Sequence, residues 1–386
     1  MYLLNLFLLI GITGILGSTL APPLLAWAVA TYKKKEKDSF HPCSYPVRDD
    51  IELDLLIPVH NEAILITNTL HSISTANKKF AQFKGKTKIY AGLDHCMDST
   101  ENQIARFIYE ECVDVNCIVN QGLPGKWSMI QELIRQSDSE WVGLVDAGAI
   151  WDPELLRYAA PYFSSPNIVG IAPSYSPLNA SPIERLNWFL ERSIKQIESY
   201  AGGPISVHGA TVFYKREYLL KALSELRGSH WINDDIVLPL TLRTLFPHHQ
   251  LAYLPKTPSG KPWVIDHGVK NDPKGDFRRR KRMLSGNFQW IRTHFTKAYQ
   301  SDLSVGLIAT RRVFRLLWAY IVLALLIGGL AEIQNFHSVL FCALDCAVAI
   351  GLVFAIYKMR VAFWSGLQVP FHLLKTKSIS LEKLWN

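Results

Sequence analysis

Charged residues in the middle of the chain have the types and spacing needed for chemistry on a phosphorylated substrate. Asp234-Asp235 opens the apolar stretch that runs on to Leu240, and a carboxylate held there could accept a proton from an attacking hydroxyl. Either aspartate could instead cap the helix that follows, because Asp is favoured at helix starts. Asp146 closes a short apolar run and is followed by Ala147-Gly148. A carboxylate at a strand end beside small residues can hold a divalent cation that bridges phosphates. Arg278 to Arg282, RRRKR, could face solvent or lipid headgroups, or could neutralise a departing diphosphate through paired guanidinium contacts. Gly125-Lys126 follows another short apolar run but lacks the surrounding pattern of a phosphate-binding P-loop.

The apolar runs between these residues must position them. Leu53 to Val59, Lys88 to Leu93, Val115 to Val119 and Trp141 to Val145 read as buried strands. Segments from Glu62 to Ile73, Asn102 to Glu111 and Ser128 to Arg135 carry helical spacing between them. Strands alternating with helices predict an α/β domain with a mainly parallel sheet. Ligands of such sheets bind at the carboxyl ends of the strands, which places Asn61, Asp94, Asp98 and Asp146 on one rim. No GxGxxG follows the first strand, which argues against a dinucleotide fold. Further on, Ser181-x-x-Glu184 with Pro182 forms a capping box. The helix it starts shows one apolar face, Ile183, Leu186, Phe189, Leu190, Ile194 and Ile197, to be laid on the sheet or along a membrane. A strand is expected at Ala210 to Tyr214.

Composition adds a membrane to this picture. The chain has 386 residues, 49% hydrophobic and 19% charged, with a net charge of +8. Residues 1–32 contain no Asp, Glu, Lys or Arg, so Tyr2 to Ala30 is long enough for one transmembrane helix. Lys33-Lys34-Lys35 follows it, and Arg311-Arg312 precedes a second candidate span, Val313 to Ala331. A third runs from Ser338 to Tyr357, with Lys358 and Arg360 beyond it. Basic residues mark the cytoplasmic side, so the domain over residues 50–300 is expected in the cytoplasm, at the inner or plasma membrane. The two later spans occupy 313–357, and 361–386 is expected to hold an interfacial helix and a cytoplasmic tail. The positive charge clusters beside apolar segments, which points to anionic lipid headgroups as partners; no nucleic-acid recognition module accompanies it. Six cysteines without paired metal-site spacing suit a reducing compartment.

Taken in order, the motifs resemble glycosyltransferase family 2. Ile57-Pro58-Val59-His60-Asn61-Glu62-Ala63 resembles the family's opening strand, and Asp94-His-Cys-Met-Asp98-Ser-Thr100 its second nucleotide-binding loop. Gly125-Lys126 matches its Gly-Lys, Leu144-Val-Asp146-Ala-Gly148 its DxD strand, and Asp234-Asp235 its acidic pair. Arg279-Arg-Lys-Arg282-Met283 stands where these proteins carry Q/R-x-x-R-W. The resemblance spans residues from about 50 to 295 and implies a GT-A fold, Rossmann-like with flanking helices, and a nucleotide-sugar donor, UDP-linked in the first instance. It implies that Pro58, Asn61, Glu62, Asp94, Asp98, Lys126, Asp146 and Arg279 face the donor. Within that set Asp94 would meet the base, and Asp146 the ribose-diphosphate and a Mg²⁺ or Mn²⁺ ion. Asp235, with Asp234 beside it, would be the catalytic base, Arg282 a clamp on the leaving diphosphate, and His208-Gly209 an acceptor-side segment.

Two positions depart from the family pattern. Gly148 removes the second carboxylate of the DxD, leaving the metal to Asp146 and to a substitute, for which His267 is the candidate. Met283 replaces the Trp that lines the acceptor channel of processive synthases, and the predicted spans after the domain are few for a secretion channel. The expectation is an inverting, non-processive hexosyl- or N-acetylhexosaminyl-transferase acting on a lipid-linked or cell-envelope glycan. The alternatives are a processive polysaccharide synthase subunit or an inactive scaffold of an envelope complex.

Overall fold

The computed structural model describes residues 2–19, 21–34, 46–82, 84–178, 180–266, 273–333 and 367. Two helices, α1 (Tyr2–Ser18) and α2 (Ala21–Lys34), precede a Rossmann-like first half: β1 (Glu52–Val59), α3 (Ile66–Ala81), β2 (Lys86–Leu93), α4 (Thr100–Glu111), β3 (Val115–Val119), α5 (Lys126–Gln136) and β4 (Trp141–Val145). Next come β5 (Ala149–Trp151), α6 (Leu155–Phe163), β6 (Ile168–Pro173), β7 (Tyr175–Pro177), α7 (Pro182–Tyr200), β8 (Thr211–Lys215) and α8 (Arg216–Glu225). The described elements end with α9 (Asp234–Leu245), β9 (Gln250–Leu254), β10 (Val264–Asp266), α10 (Pro273–Ser301), α11 (Leu303–Leu316) and α12 (Trp318–Ile333).

Seven strands form the main sheet in the order β3-β2-β1-β4-β8-β6-β9. All pairs are parallel except the two made by β8, which enters antiparallel between β4 and β6. The sheet is covered on both faces, which is why its central strands read as unbroken apolar runs. Leu53, Leu55 and Ile57 of β1 meet Ile73 and Phe80 of α3 and Phe107 of α4, while Leu56 points to the other layer with Met129 and Leu133 of α5. Pro58 sits in β1 beyond Leu56, the last residue paired with β4, so its missing N–H falls outside that ladder. A small sheet, β5-β10-β7, stands beyond the carboxyl end of β4.

The remaining helices differ from the sequence expectation. The single N-terminal span is two helices, because Pro22 and Pro23 have no N–H to offer the carbonyls one turn earlier. Ser18 and Thr19 bond instead to the Ile15 carbonyl, at 3.0 and 2.7 Å. Among the described residues no single helix is long and apolar enough to cross a membrane; Leu9–Ser18 and Ala21–Tyr32 pass on length and composition only as a pair, bent by 54°. The second expected span is also divided. Residues 313–316 end α11, the chain turns at Leu317, and α12 begins at Trp318. The third expected span and most of the tail lie outside the described residues; Leu367 accepts a hydrogen bond from Tyr320 Oη at 2.5 Å.

Glycines let these helices touch. A Cβ on Gly11 or Gly14 would stand 2.5 Å from Leu325 or Ile321 of α12, and one on Gly17 2.8 Å from Phe314 of α11. The three glycines lie on one face of α1 at intervals of three residues, so that backbone packs directly against side chains.

The capping box of α7 forms as expected, with Glu184 N on Ser181 Oγ at 3.3 Å and Ser181 N on Glu184 Oε2 at 2.8 Å. The helix turns the first part of its apolar face outward, while Ile194 of the same face is buried. Glu191, Lys195 and Glu198 are buried, while Leu186 is 60% exposed and Phe189 and Leu190 are about half exposed.

Candidate active site

The carboxyl rim of the sheet gathers the charged motifs around one lysine. Gly125 adopts φ 134°, a conformation open to glycine, and delivers Lys126 at the first residue of α5. Lys126 Nζ lies 2.7 Å from Asp146 Oδ1 at the end of β4 and 3.2 Å from Asp234 Oδ2 at the start of α9. A Cβ on Gly209 would stand 3.3 Å from Asp146 Oδ2, 3.8 Å from Lys126 Nζ and 3.9 Å from Asp235 Cβ, so this segment closes over the cluster. Lys195 and Arg312 both bond to Ser206, and Val207 N donates to the Asp235 carbonyl at 2.8 Å.

The acidic pair is therefore no helix cap. Asn233 holds the N-cap position of α9, and Asp234 is engaged with Lys126. Burial, followed by the like charge of Asp234, raises the Asp235 carboxyl to about 6. Burial also raises Asp146, against the pull of Lys126. Burial works against the Lys126 charge, but Asp146 and Asp234 outweigh it and hold the ammonium protonated. A carboxylate poised near neutrality beside a fixed cation can accept a proton from a hydroxyl and stay apart from the charge that balances a phosphate.

The two rim loops are tied to each other. Asn61 Oδ1 accepts from Met97 N at 2.8 Å and Asp98 N at 3.3 Å, and Asp98 Oδ2 accepts from Ala63 N at 3.1 Å. Glu62 N donates to Thr100 Oγ1 at 2.9 Å. Asn61 and His95 take positive φ, 56° and 51°, which turns both loops sharply at the strand ends. Asp94 is fully buried, its oxygens taken by Gly125 N at 2.7 Å and Asn120 Nδ2 at 2.5 Å. That pairing gives Asp94 a positioning role for Lys126, beyond the base contact expected of it.

Helix α10 brings the arginines. A Cβ on Gly286 would fall 2.5 Å from Asn233 Cγ, and Asn233 Nδ2 donates to the Met283 carbonyl at 3.0 Å, so α10 lies directly on the start of α9. Gln289 fastens the same contact, its Nε2 on the His230 carbonyl at 2.6 Å. One turn earlier stands Arg282, within the field of Asp234, Asp146 and Asp235; burial, then Arg279, lowers its pKa. Arg279 shares that helix face and is exposed.

The profile of Glycosyltransferase like family 2 matches residues 52–261, more than half of the chain. The chain belongs to this family. It is a glycosyltransferase that draws on a nucleotide-sugar donor. In structure it is similar to the mannosyltransferase PcManGT from Pyrobaculum calidifontis, solved with GDP-Man and Mn²⁺, at 18% identity and a TM-score of 0.64, over 96% of this chain and 100% of that one. Glucosyl-3-phosphoglycerate synthase from Mycobacterium tuberculosis, solved with Mn²⁺, UDP-glucose and phosphoglyceric acid, aligns at 13% identity and a TM-score of 0.41, over 61% of this chain and 79% of that one. No curated protein sequence matches significantly.

With the GT-A-like fold in place, the glycosyltransferase shows where sequence reasoning met its limits. His208 lies beside the cluster through Gly209, but its ring is packed between Tyr175 and Trp188, with centroids 4.9 and 4.8 Å away, and burial keeps it neutral. His267 lies outside the described residues. Its neighbour Asp266, which sequence reasoning passed over, reaches Gly148: its Oδ1 stands 3.1 Å from the position of a Cβ there. Three-residue β10 offers no apolar periodicity to mark it, so only the carboxyl type of Asp266 could have drawn attention. The described residues contain no cluster of three or more potential metal-ligating His, Cys, Asp or Glu.

Proposed function

We propose that this glycosyltransferase moves a single sugar, with inversion, from a nucleotide-sugar donor to a lipid-linked or cell-envelope glycan acceptor at a membrane surface. The observation that carries the reading is the juxtaposition of Asp235, raised to about 6, with Lys126, Asp146 and Arg282. Asp235 takes the proton of the acceptor hydroxyl as its oxygen bonds to the anomeric carbon. The bond from that carbon to the diphosphate breaks on the opposite face, and the diphosphate leaves with the electron pair. Lys126 and Arg282 offset the charge that develops on it.

The site suits a divalent cation. Asp146 offers a hard oxygen ligand, and the Asp266 carboxylate reaches the place beside Gly148, which it shares with the Leu65 side chain. Mn²⁺ or Mg²⁺ held by Asp146 would add Lewis-acid neutralisation of the leaving diphosphate. The neighbouring mannosyltransferase was solved with Mn²⁺, in keeping with this reading.

Membrane attachment draws support from the apolar exterior of the helical layer: Leu9 is 61% exposed, with Leu16, Leu25, Leu186 and Phe189 on the same class of surface. In the sequence a basic block, Lys33-Lys34-Lys35, follows the first apolar segment, as the cytoplasmic side of a bilayer favours. A reporter fused after residue 386 should read cytoplasm, and an outside signal would reverse the orientation.

The reaction is tested by nucleoside diphosphate release from purified protein in lipid, across UDP- and GDP-sugars and candidate lipid acceptors, with Mn²⁺, Mg²⁺ or EDTA. Turnover with one donor that disappears in Asp235→Asn, while donor binding persists, is the expected result. Equal rates in the two proteins would remove Asp235 as the base.

A further inference from the structure

The turn that carries Asp146 cannot itself carry a second carboxylate. Gly148 sits at φ 103°, a conformation that strains any L side chain, and its N–H is held by Thr69 Oγ1 at 2.8 Å. Ala149 N bonds back to the Asp146 carbonyl at 3.1 Å, so residues 146–149 form a tight loop directed at the small sheet. From that sheet comes another acid. β10 runs antiparallel to β5 with Asp266 opposite Ala149, and parallel to β7 with Asp266 opposite Pro177. Leu178 N donates to the Asp266 carbonyl at 2.7 Å and fixes the backbone on its other side. The side chain is thereby aimed at Gly148, with Oδ1 3.1 Å from where a Cβ would stand.

We propose that Asp266 is the second carboxylate ligand of the divalent cation held by Asp146, supplied through space by β10 to the position that Gly148 leaves bare. The inference rests on the reading of Asp146 as a metal ligand. Three observations support it. The atom nearest to where a position-148 Cβ would stand is the Asp266 carboxylate oxygen, at 3.1 Å, with Leu65 Cδ1 next at 3.2 Å. Both strands that flank β10 lock its register, so the acid is placed by main-chain pairing and not by a mobile loop. Lys126 engages Asp146 through Oδ1, and among the described residues Oδ2 has no hydrogen-bond or ion-pair partner. Hard divalent cations at phosphate sites take one or two carboxylates together with phosphate oxygens, and two aspartates meet that need.

The test is Mn²⁺ binding by the full-length protein, read from the electron paramagnetic resonance signal of free Mn²⁺ with saturating UDP or GDP. Asp266→Asn should weaken Mn²⁺ by about tenfold or more, since even outer-shell changes cost ten- to a hundredfold. Nucleotide affinity in EDTA should be unchanged, and Asp146→Asn should show the same loss. Asp266→Glu keeps the charge but alters its reach, so it should fall between wild type and Asn, and it serves if Asp266→Asn melts at a lower temperature. Wild-type Mn²⁺ affinity in folded Asp266→Asn overturns the inference and leaves the transferase reading standing. Full turnover of the wild type in EDTA does the same. Failure of the wild type to bind Mn²⁺ with either nucleotide, joined to absence of turnover with every donor, removes both.

Discussion

The sheet domain and the helical layer beside it are built on opposite rules. In the sheet domain apolar side chains go inward, and the buried carboxylate of Asp54 is met by neighbouring main chain: Asp138 N at 3.0 Å and Ser139 N at 3.1 Å. In the layer of α1, α2, α7, α11 and α12 many large apolar side chains face outward. Its interior holds Arg311, 2% exposed, with Glu198 at 3.5 Å and Glu191 at 2.5 Å, and Arg315 meets Glu191 at 2.6 Å. Glu191 is held well below the usual carboxylate range: burial opposes its charge, but Arg315 and Arg311 prevail. The same chain thus relies on apolar burial in one region and adds a buried ion-pair cluster to it in the other. The difference is in keeping with the proposed membrane attachment of the layer, whereas the sheet domain is covered by its own two layers of helices.

That contrast can be broken deliberately. Arg311→Met leaves the buried Glu198 without its main counter-charge and Glu191 with Arg315 alone of its two arginine partners, and should lower stability by about 3–5 kcal/mol, seen as a large fall in melting temperature. The triple replacement Arg311→Met, Glu191→Leu, Glu198→Leu should recover most of that loss, because an apolar set of similar volume avoids the desolvation of all three charges. Arg282→Ala should leave the melting temperature in place while turnover falls about 10²–10³-fold; unchanged turnover would return the basic run of α10 to a surface role.

The pH dependence sharpens the catalytic side. Asp235 must be deprotonated to act, so kcat/KM should be present above about 6 and fall as pH drops through that value. Removing the like charge with Asp234→Asn should move this limb to lower pH. The smallest effect belongs to the outer face of α7. Leu186→Glu and Phe189→Glu should change stability by no more than about 0.5 kcal/mol, yet reduce cosedimentation with anionic vesicles. Undiminished cosedimentation would show that α7 does not face lipid.

Much of this could be read in the sequence. Strands β3 and β4 lie where the apolar runs place them, β1 and β2 extend those runs by one or two residues, and the motif residues lie at the strand ends, because each signal is local. Asp234 and Asp235 required the fold: one residue type serves as cap or base, and it is Asn233 at the N-cap and Lys126, more than a hundred residues away, that set the pair apart from a cap. For α7 the periodicity marked an apolar face but not its direction, which depends on Arg311 arriving from α11. Pro22-Pro23 was a visible signal that composition alone overrode. For a second metal ligand the sequence points to His267, which lies outside the described residues, while the neighbouring Asp266 is placed by strand pairing that no local pattern announces.

The short segment from Ser206 to Gly209 is held from two directions: Lys195 and Arg312 grip Ser206 from the helical layer, and Val207 N is bonded to the Asp235 carbonyl. Excision of the catalytic unit by cutting at its sequence motifs would therefore fail in a particular way. A fragment ending near residue 300 would keep every motif yet lose Arg311 and Arg312. The acids of α7 would be stripped of their counter-charges, and the strap across Asp235 would hang from one side. The smallest autonomous enzyme should therefore be a unit of sheet and helical layer together, and a fragment ending near residue 300 that melts cooperatively and turns over donor would show otherwise.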